Sequence, residues 1–331
     1  MNRLNKPLHL ALALTLSSAA ACDAEELVDV DEVSFRSAID NSSAVNGIII
    51  NGIIINGGQI GGTSLASAVA PNGDDIAFMW TTYQSGRLMM ITEGGDFFHG
   101  EEAVGTELTF ATEAGHYRLY VDDADFKNGG EFKGGGLFHY TINYAIEGEN
   151  GIDDDSRESL CYDGLGQPTQ ALILPGEWDQ ETGDRLNYSP TSLTAACRHA
   201  ALAKCAEWGY RPGLMPNTHA SCVRMVRADY AGDGVAHTEN GTLIHVGDKY
   251  GINKQQSEPG LLKEAEWGPE GALCLNRAAL RHPELSGCDD PADPQTCFPE
   301  IPECPGDLGD LKIKLHNLGA RIMTAISVDP Q

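Results

Sequence analysis

Between Asp75 and Ile146 apolar residues recur at every second position, which predicts a series of half-buried β-strands. Phe138-His139-Tyr140-Thr141-Ile142-Asn143-Tyr144 alternates most cleanly, and Tyr117, Leu119 and Val121 do so around Arg118 and Tyr120. Ile76 to Tyr83, Arg87 to Thr92 and Glu107 to Thr112 are further predicted strands. Gly94-Gly95 and Gly134-Gly135-Gly136 lie between strands, where turns need permissive backbone. His99, His116 and His139 fall in or beside these strands, and no partner spacing marks them as metal ligands.

Further along, the period lengthens. Ala200 to Trp208 has helix-forming composition, with Gly209 placed as a C-terminal cap and Pro212 beyond it. Thr218 to Tyr230 predicts a second helix, capped by Asn217 or Thr218 and ended by Gly232 and Gly234. Cys222, Val223, Val226 and Tyr230 would share one of its faces. Asn240-Gly241, flanked by strand formers, predicts a two-residue hairpin that points His237 and His245 to opposite faces. Leu311, Leu315, Leu318 and Ile322 recur at helical spacing and predict a C-terminal docking helix. Together these patterns predict an α+β fold: a β-rich segment followed by a region of short helices and hairpins.

The N-terminal pattern is that of an address. Arg3 and Lys6 precede the apolar run Leu8 to Leu16, which is too short to span a bilayer and reads as a secretory signal over residues 1–21. Ser17-Ser18-Ala19-Ala20-Ala21 before Cys22 resembles a bacterial lipobox, which implies cleavage there and acylation of Cys22. That anchor would be the chain's only membrane attachment. Residues 22–44 are acidic and read as an extended tether. Over 45–69, Val45-Asn46-Gly47, Ile50-Asn51-Gly52, Ile55-Asn56-Gly57 and Ile60-Gly61-Gly62 recur every five residues, like pentapeptide-repeat coils. The predicted organisation continues with a β-rich segment at 70–150, a cysteine-rich region at 151–287 and a Cys/Pro strap with the helix at 288–331.

The charge narrows the partners. A net charge of −26 disfavours both nucleic acid and anionic headgroups as partners, so neither is expected. Protein and polysaccharide partners both stay open. Apart from Cys22, the cysteines are Cys161, Cys197, Cys205, Cys222, Cys274, Cys288, Cys297 and Cys304. An even set in an exported chain reads as up to four disulfides, and no C-x-x-C pair supports a metal site. If Cys197 and Cys205 were both helical they would sit about 12 Å apart, so they could bond only if Cys197 precedes the helix.

Candidate chemistry concentrates in Cys222–Ile252. If the chain is an enzyme, Cys222 as thiolate, His237 as base, and Asp229, Asp233 and His245 are the residues to test. A weaker reading gives Ca2+ the carboxylates of Asp229, Asp233 and Asp248, though no Asp-x-Asp-x-Asp loop is present. The sequence therefore predicts no cofactor and leans away from catalysis.

Several ordered blocks resemble the bacterial ADYC-domain proteins. They include Cys161-Tyr-Asp-Gly, Gly176-Glu-Trp-Asp, the run from Ala196 to Pro212, and Cys222-Val-Arg-Met-Val-Arg-Ala-Asp-Tyr. Gly232-Asp-Gly, His237-Thr, Asn240-Gly-Thr and Glu264-Ala-Glu-Trp-Gly-Pro-Glu-Gly-Ala-Leu-Cys274 continue the likeness, which covers about 160 to 276. The resemblance implies architecture and no activity. The cysteine that ends the family motif is Ala231 here, leaving an odd number in the resembling region. At least one of these cysteines is therefore expected to bond Cys288, Cys297 or Cys304. The expected function is a lipid-anchored envelope protein acting as a non-catalytic binding or structural module, with an extracytoplasmic polymer hydrolase as the alternative.

Overall fold

The structure is a computed structural model that describes residues 39–40, 54–55, 59–60, 63–112, 115–127, 135–148, 151–153, 156–163, 166–179, 182–198, 200–239, 242–253, 261–282, 284, 288, 290, 293–305, 317 and 319–327. The first strands are β1 (Ile39–Asp40), β2 (Ile54–Ile55), β3 (Gln59–Ile60), β4 (Thr63–Val69), β5 (Ile76–Thr81), β6 (Leu88–Thr92) and β7 (Phe97–His99). Next come β8 (Glu107–Thr112), β9 (Gly115–Lys127), β10 (Leu137–Gly148), β11 (Gly151–Ile152), β12 (Glu158–Ser159) and β13 (Ala171–Pro175). β14 (Glu177–Trp178), β15 (Arg185–Asn187) and β16 (Leu193–Cys197) lead to helices α1 (Ala201–Glu207) and α2 (Pro216–Arg227). The chain finishes with β17 (Leu243–Asp248), β18 (Leu261–Gly268), β19 (Gly271–Leu275) and β20 (Ile322–Ser327).

Two larger sheets carry the molecule. The first runs β2-β16-β13-β10-β9-β8-β4-β3, with β11 and β12 added against β10. Its edge strands β2 and β3 are joined by residues 56–58 and lie beside each other, so the sheet curls toward a closed barrel. A three-stranded meander, β5-β6-β7, covers this unit. Its inner side chains Met79, Leu88 and Met90 join Phe110, Leu119, Tyr140 and Ile173 in one core. Tyr140 fastens the two layers, accepting from Leu88 N at 2.7 Å and donating to Gly86 O at 3.3 Å.

The second sheet, β1-β17-β20-β18-β19, is antiparallel throughout and forms a separate core with α2. Trp267, Tyr230, Val226 and Ile322 are fully buried there, each apolar side chain contributing roughly 1.5–3 kcal/mol. Glu264 of β18 lies in the same core and takes hydrogen bonds from Tyr230, Arg281 and Thr324. The reason β18 tolerates a carboxylate there is this full set of donors.

All eight cysteines from Cys161 onward are paired: Cys161–Cys197, Cys205–Cys222, Cys274–Cys304 and Cys288–Cys297. The cross-link between the family-like region and the strap is Cys274–Cys304, so that expectation holds. Such bonds persist in oxidising, extracytoplasmic surroundings. Among the described residues no helix is long and apolar enough to cross a membrane.

Several expectations are corrected. The fold is β-rich, with antiparallel sheets and two α-helices among the described residues, not α+β. The predicted strands of 76–146 form where the alternation placed them, and α1 with its Gly209 turn (φ +104) matches the first helix. Cys197 precedes that helix but sits in β16 and bonds Cys161 instead of Cys205. The second helix starts after Met215, with Pro216 in its first turn, and ends at Ala228 (φ +52), before the glycines. The hairpin around Asn240-Gly241 is replaced by long-range pairing: β17 lies between β1 and β20, and no strand precedes it at 236–239. Ile322 opens strand β20, while Leu311, Leu315 and Leu318 lie outside the described residues. The signal segment, Cys22, most of the tether and most of the repeat lie outside them too; the described parts of 45–69 are the two-residue strands β2 and β3 and the strand β4.

Candidate functional site

The residues singled out for chemistry each secure a local element. Cys222 is bonded to Cys205 and clamps α2 to α1, so it offers no thiolate. Asp229 is fully buried, accepting from Arg224 Nη1 at 2.5 Å and Gly234 N at 3.0 Å. Burial raises its pKa even beside Arg224 and Arg227. Arg224 also pairs with Asp184 and donates to Thr182 O and Pro269 O. Asp233 accepts from Val235 N at 2.9 Å within the glycine turn. His237 stacks on Tyr230 and meets Phe298 edge-on, while His245 lies buried in β17 opposite Ala325. Asp248 gathers the following loop, accepting from Tyr250 N, Ile252 N and Asn253 N, and from Tyr210 Oη.

The motif residues build a junction. Gly232 has φ +72, and a Cβ there would stand 1.9 Å from Glu270 O. Gly271 faces it with φ +118, and Ala272 N donates to Tyr230 O at 2.9 Å. Backbone lies on backbone, which only glycine allows at these two positions.

A different place carries features of a binding surface. On the outer side of the β5-β6-β7 meander, Phe78, Ile91 and Phe97 stand in one cross-strand row. Trp80, Met89 and His99 stand in the next. The rings form a ladder: Phe78 to Trp80 at 5.4 Å, Trp80 to Phe97 at 6.0 Å, and Phe97 to His99 at 5.5 Å. Phe78 is 50% exposed and Phe97 47%, although the outer side of an antiparallel sheet is ordinarily polar. A contiguous apolar face of this kind marks an interaction surface.

His99 connects the ladder to a recess of about 290 Å3 lined by Arg87, Gly100, Glu101, Glu102, Phe126 and Phe138. The Arg87 guanidinium sits 5.0 Å from the Phe138 ring centroid, and Phe126 packs on Phe138 at 4.9 Å. Arg87 Nε is buried with no hydrogen-bond partner. Gly100, at φ +56, leaves room for Phe138; a Cβ there would come within 2.7 Å of the ring. Glu102 accepts from His99 N at 3.2 Å, which holds the rim of the recess. Sequence reasoning treated these strands as ordinary, yet Ile76 to Trp80 and Leu88 to Ile91 are apolar at both parities. A strand apolar on both faces signals two covered faces, and here one is open.

Comparison with known families matches residues 100–281 to the ADYC domain. Comparisons with curated proteins and with solved structures find no match. The matched span begins at the recess and ends at Arg281, the partner of Glu264. It thus reaches further toward the N-terminus than the motif blocks and takes in β8, β9 and β10. With more than half of its length matched, the chain belongs to the ADYC domain family.

Proposed function

We propose that this chain is an exported, lipid-anchored envelope protein that acts as a non-catalytic module binding a neutral or N-acetylated glycan. The observation that carries the reading is the open aromatic ladder Phe78–Trp80–Phe97–His99 running into the Arg87 recess. Sugar rings present apolar C–H faces that stack on such side chains, and their hydroxyls need hydrogen-bonding groups at the edge. Arg87, His99, Glu101 and Glu102 supply that edge. An acidic chain favours an uncharged polymer over a uronic one. The Leu8–Leu16 run and Cys22 support export and anchoring. Engagement of Cys222 in a disulfide and of Asp229 with Arg224 supports the non-catalytic side of the reading.

The test is glycan-array screening followed by calorimetry with the best oligosaccharide. The F78A/W80A/F97A variant is expected to lose binding, and R87Q to weaken it. No binding by the parent protein, or full binding by the triple variant, would sink the reading. Shortening of the oligosaccharide during incubation would replace it with the hydrolase alternative. Radiolabelled palmitate should enter the parent chain and not C22S; equal labelling would remove the anchor.

A further inference from the structure

A second site lies on the other unit of the molecule, where Glu239, His282 and Glu284 converge. One ligand atom from each lies within 4.8 Å of the other two. Glu239 comes from the segment leading into β17, and His282 and Glu284 come from the chain just after Arg281. The imidazole is held at both nitrogens: Nε2 lies 2.7 Å from Thr242 Oγ1, and Nδ1 lies 2.9 Å from Glu284 Oε1.

The hydroxyl of Thr242 settles the orientation of this group. It has one hydrogen, and that is donated to the carbonyl of Glu239 at 2.8 Å. Toward His282 it can only accept, so Nε2 carries the ring proton. Nδ1 then faces the Glu284 carboxylate, with Glu239 also in reach. Two anionic groups with an imidazole nitrogen turned toward them form a set that either a second ring proton, pairing Nδ1 with Glu284, or a cation would stabilise. One proton would leave the trio net negative in a chain of charge −26, whereas a divalent cation balances both carboxylates.

We propose that Glu239, His282 and Glu284 bind a divalent first-row transition metal, with Zn2+ as the working choice and water completing the shell. One imidazole with two carboxylates suits Zn2+ better than Ca2+, which takes six to eight oxygen ligands. Thr242 is a positioning residue: it fixes the tautomer through Nε2 and leaves Nδ1 for the metal. The bound ion would cross-link the segment entering β17 to the segment leaving Arg281.

The experiment uses tag-free, disulfide-intact full chain stripped with chelator, then titrated with Zn2+ against a chromophoric competitor. Co2+ absorption in the visible range reports the coordination. The expected result is one Zn2+ per chain. H282Q and E239Q should each weaken binding at least roughly tenfold, with T242V also weakening it because outer partners commonly contribute 10–100-fold. H116Q, at a distant exposed imidazole, should change nothing. E239Q removes an exposed carboxylate, so its effect is readable even if H282Q fails to fold. No Zn2+ binding up to about 1 mM, the weak end for extracellular metal sites, would overturn the proposal. Binding that survives both E239Q and H282Q would overturn it equally.

Discussion

Arg281 and Glu264 meet through paired hydrogen bonds of 2.7 and 2.6 Å, with neither side chain reached by water. Burial alone would raise the pKa of Glu264, but the Arg281 charge and its hydrogen bonds, with those of Tyr230 and Thr324, hold it below the usual carboxylate range. Replacing Glu264 with Gln strands a buried guanidinium, and E264Q is expected to cost about 3–5 kcal/mol. Y230F removes one donor of several and should cost about 1 kcal/mol. Urea unfolding of the oxidised proteins checks both, and equal losses would contradict the ranking.

Acid sensitivity should begin above the carboxylate range. His219 is fully buried in α2, its Nε2 donating to Leu202 O at 3.0 Å, and burial pushes its pKa down to about 3. A depressed folded value means that stability is complete above the unfolded value near 6.5 and is lost as pH falls toward 3. Glu264, depressed below its ordinary value, adds a further loss at lower pH by the same sign. H219Q keeps a donor for Leu202 O and should flatten the stability profile between about pH 6.5 and 4. An unchanged slope would show that His219 is not the group responsible.

The strap is expected to matter to the folded core as well as to itself. Cys274–Cys304 closes a separation of 30 residues, and C274A/C304A should lower stability by about 3–4 kcal/mol. C304S should leave the buried Cys274 as one free thiol, counted after unfolding without reductant. Peptide mapping without reduction should return the four pairs Cys161–Cys197, Cys205–Cys222, Cys274–Cys304 and Cys288–Cys297.

Restoring the family's motif cysteine should not create a fifth bridge. Ala231 is exposed, and every cysteine from Cys161 onward already has a partner. A231C is expected to add one equivalent of thiol reactive toward a soluble disulfide reagent. No added thiol would indicate that the pairings rearrange. G232A, by contrast, places a Cβ against Glu270 O and should unfold the junction at lower urea.

Local alternation made β5, β6, β8, β9 and β10 legible, because each strand's neighbours follow closely in sequence and one face must be buried. The β17 pairing was not legible. Asn240-Gly241 is a strong local turn signal, but β17 finds better partners in β1 and β20, and propensity yields to long-range pairing. Ile322 failed similarly: helical spacing cannot exclude a strand when the deciding contacts come from Trp267 and Asp248 on the neighbouring strands. Cysteine counting gave the number of bridges and the link to the strap, while connectivity needed the fold. The candidate residues of 222–248 looked chemical because polar groups at tight junctions resemble those at sites. The aromatic ladder was not legible because a half-buried strand is expected to have a polar outer face, whereas Ile76–Trp80 and Leu88–Ile91 are apolar at both parities.

The pairings of β1 and β2 set an order of events for a chain made from its N-terminus. Ile39 registers with Ile244, and Ile55 with Leu193, so the first-made strands have partners made roughly 140 to 200 residues later. Until those partners emerge, β1 and β2 have no strand to pair with, and isoleucine-rich sequence of this kind can associate with other copies. Assembly of this protein is thus a waiting problem, and slow formation of β16 or β17 prolongs the interval of greatest risk.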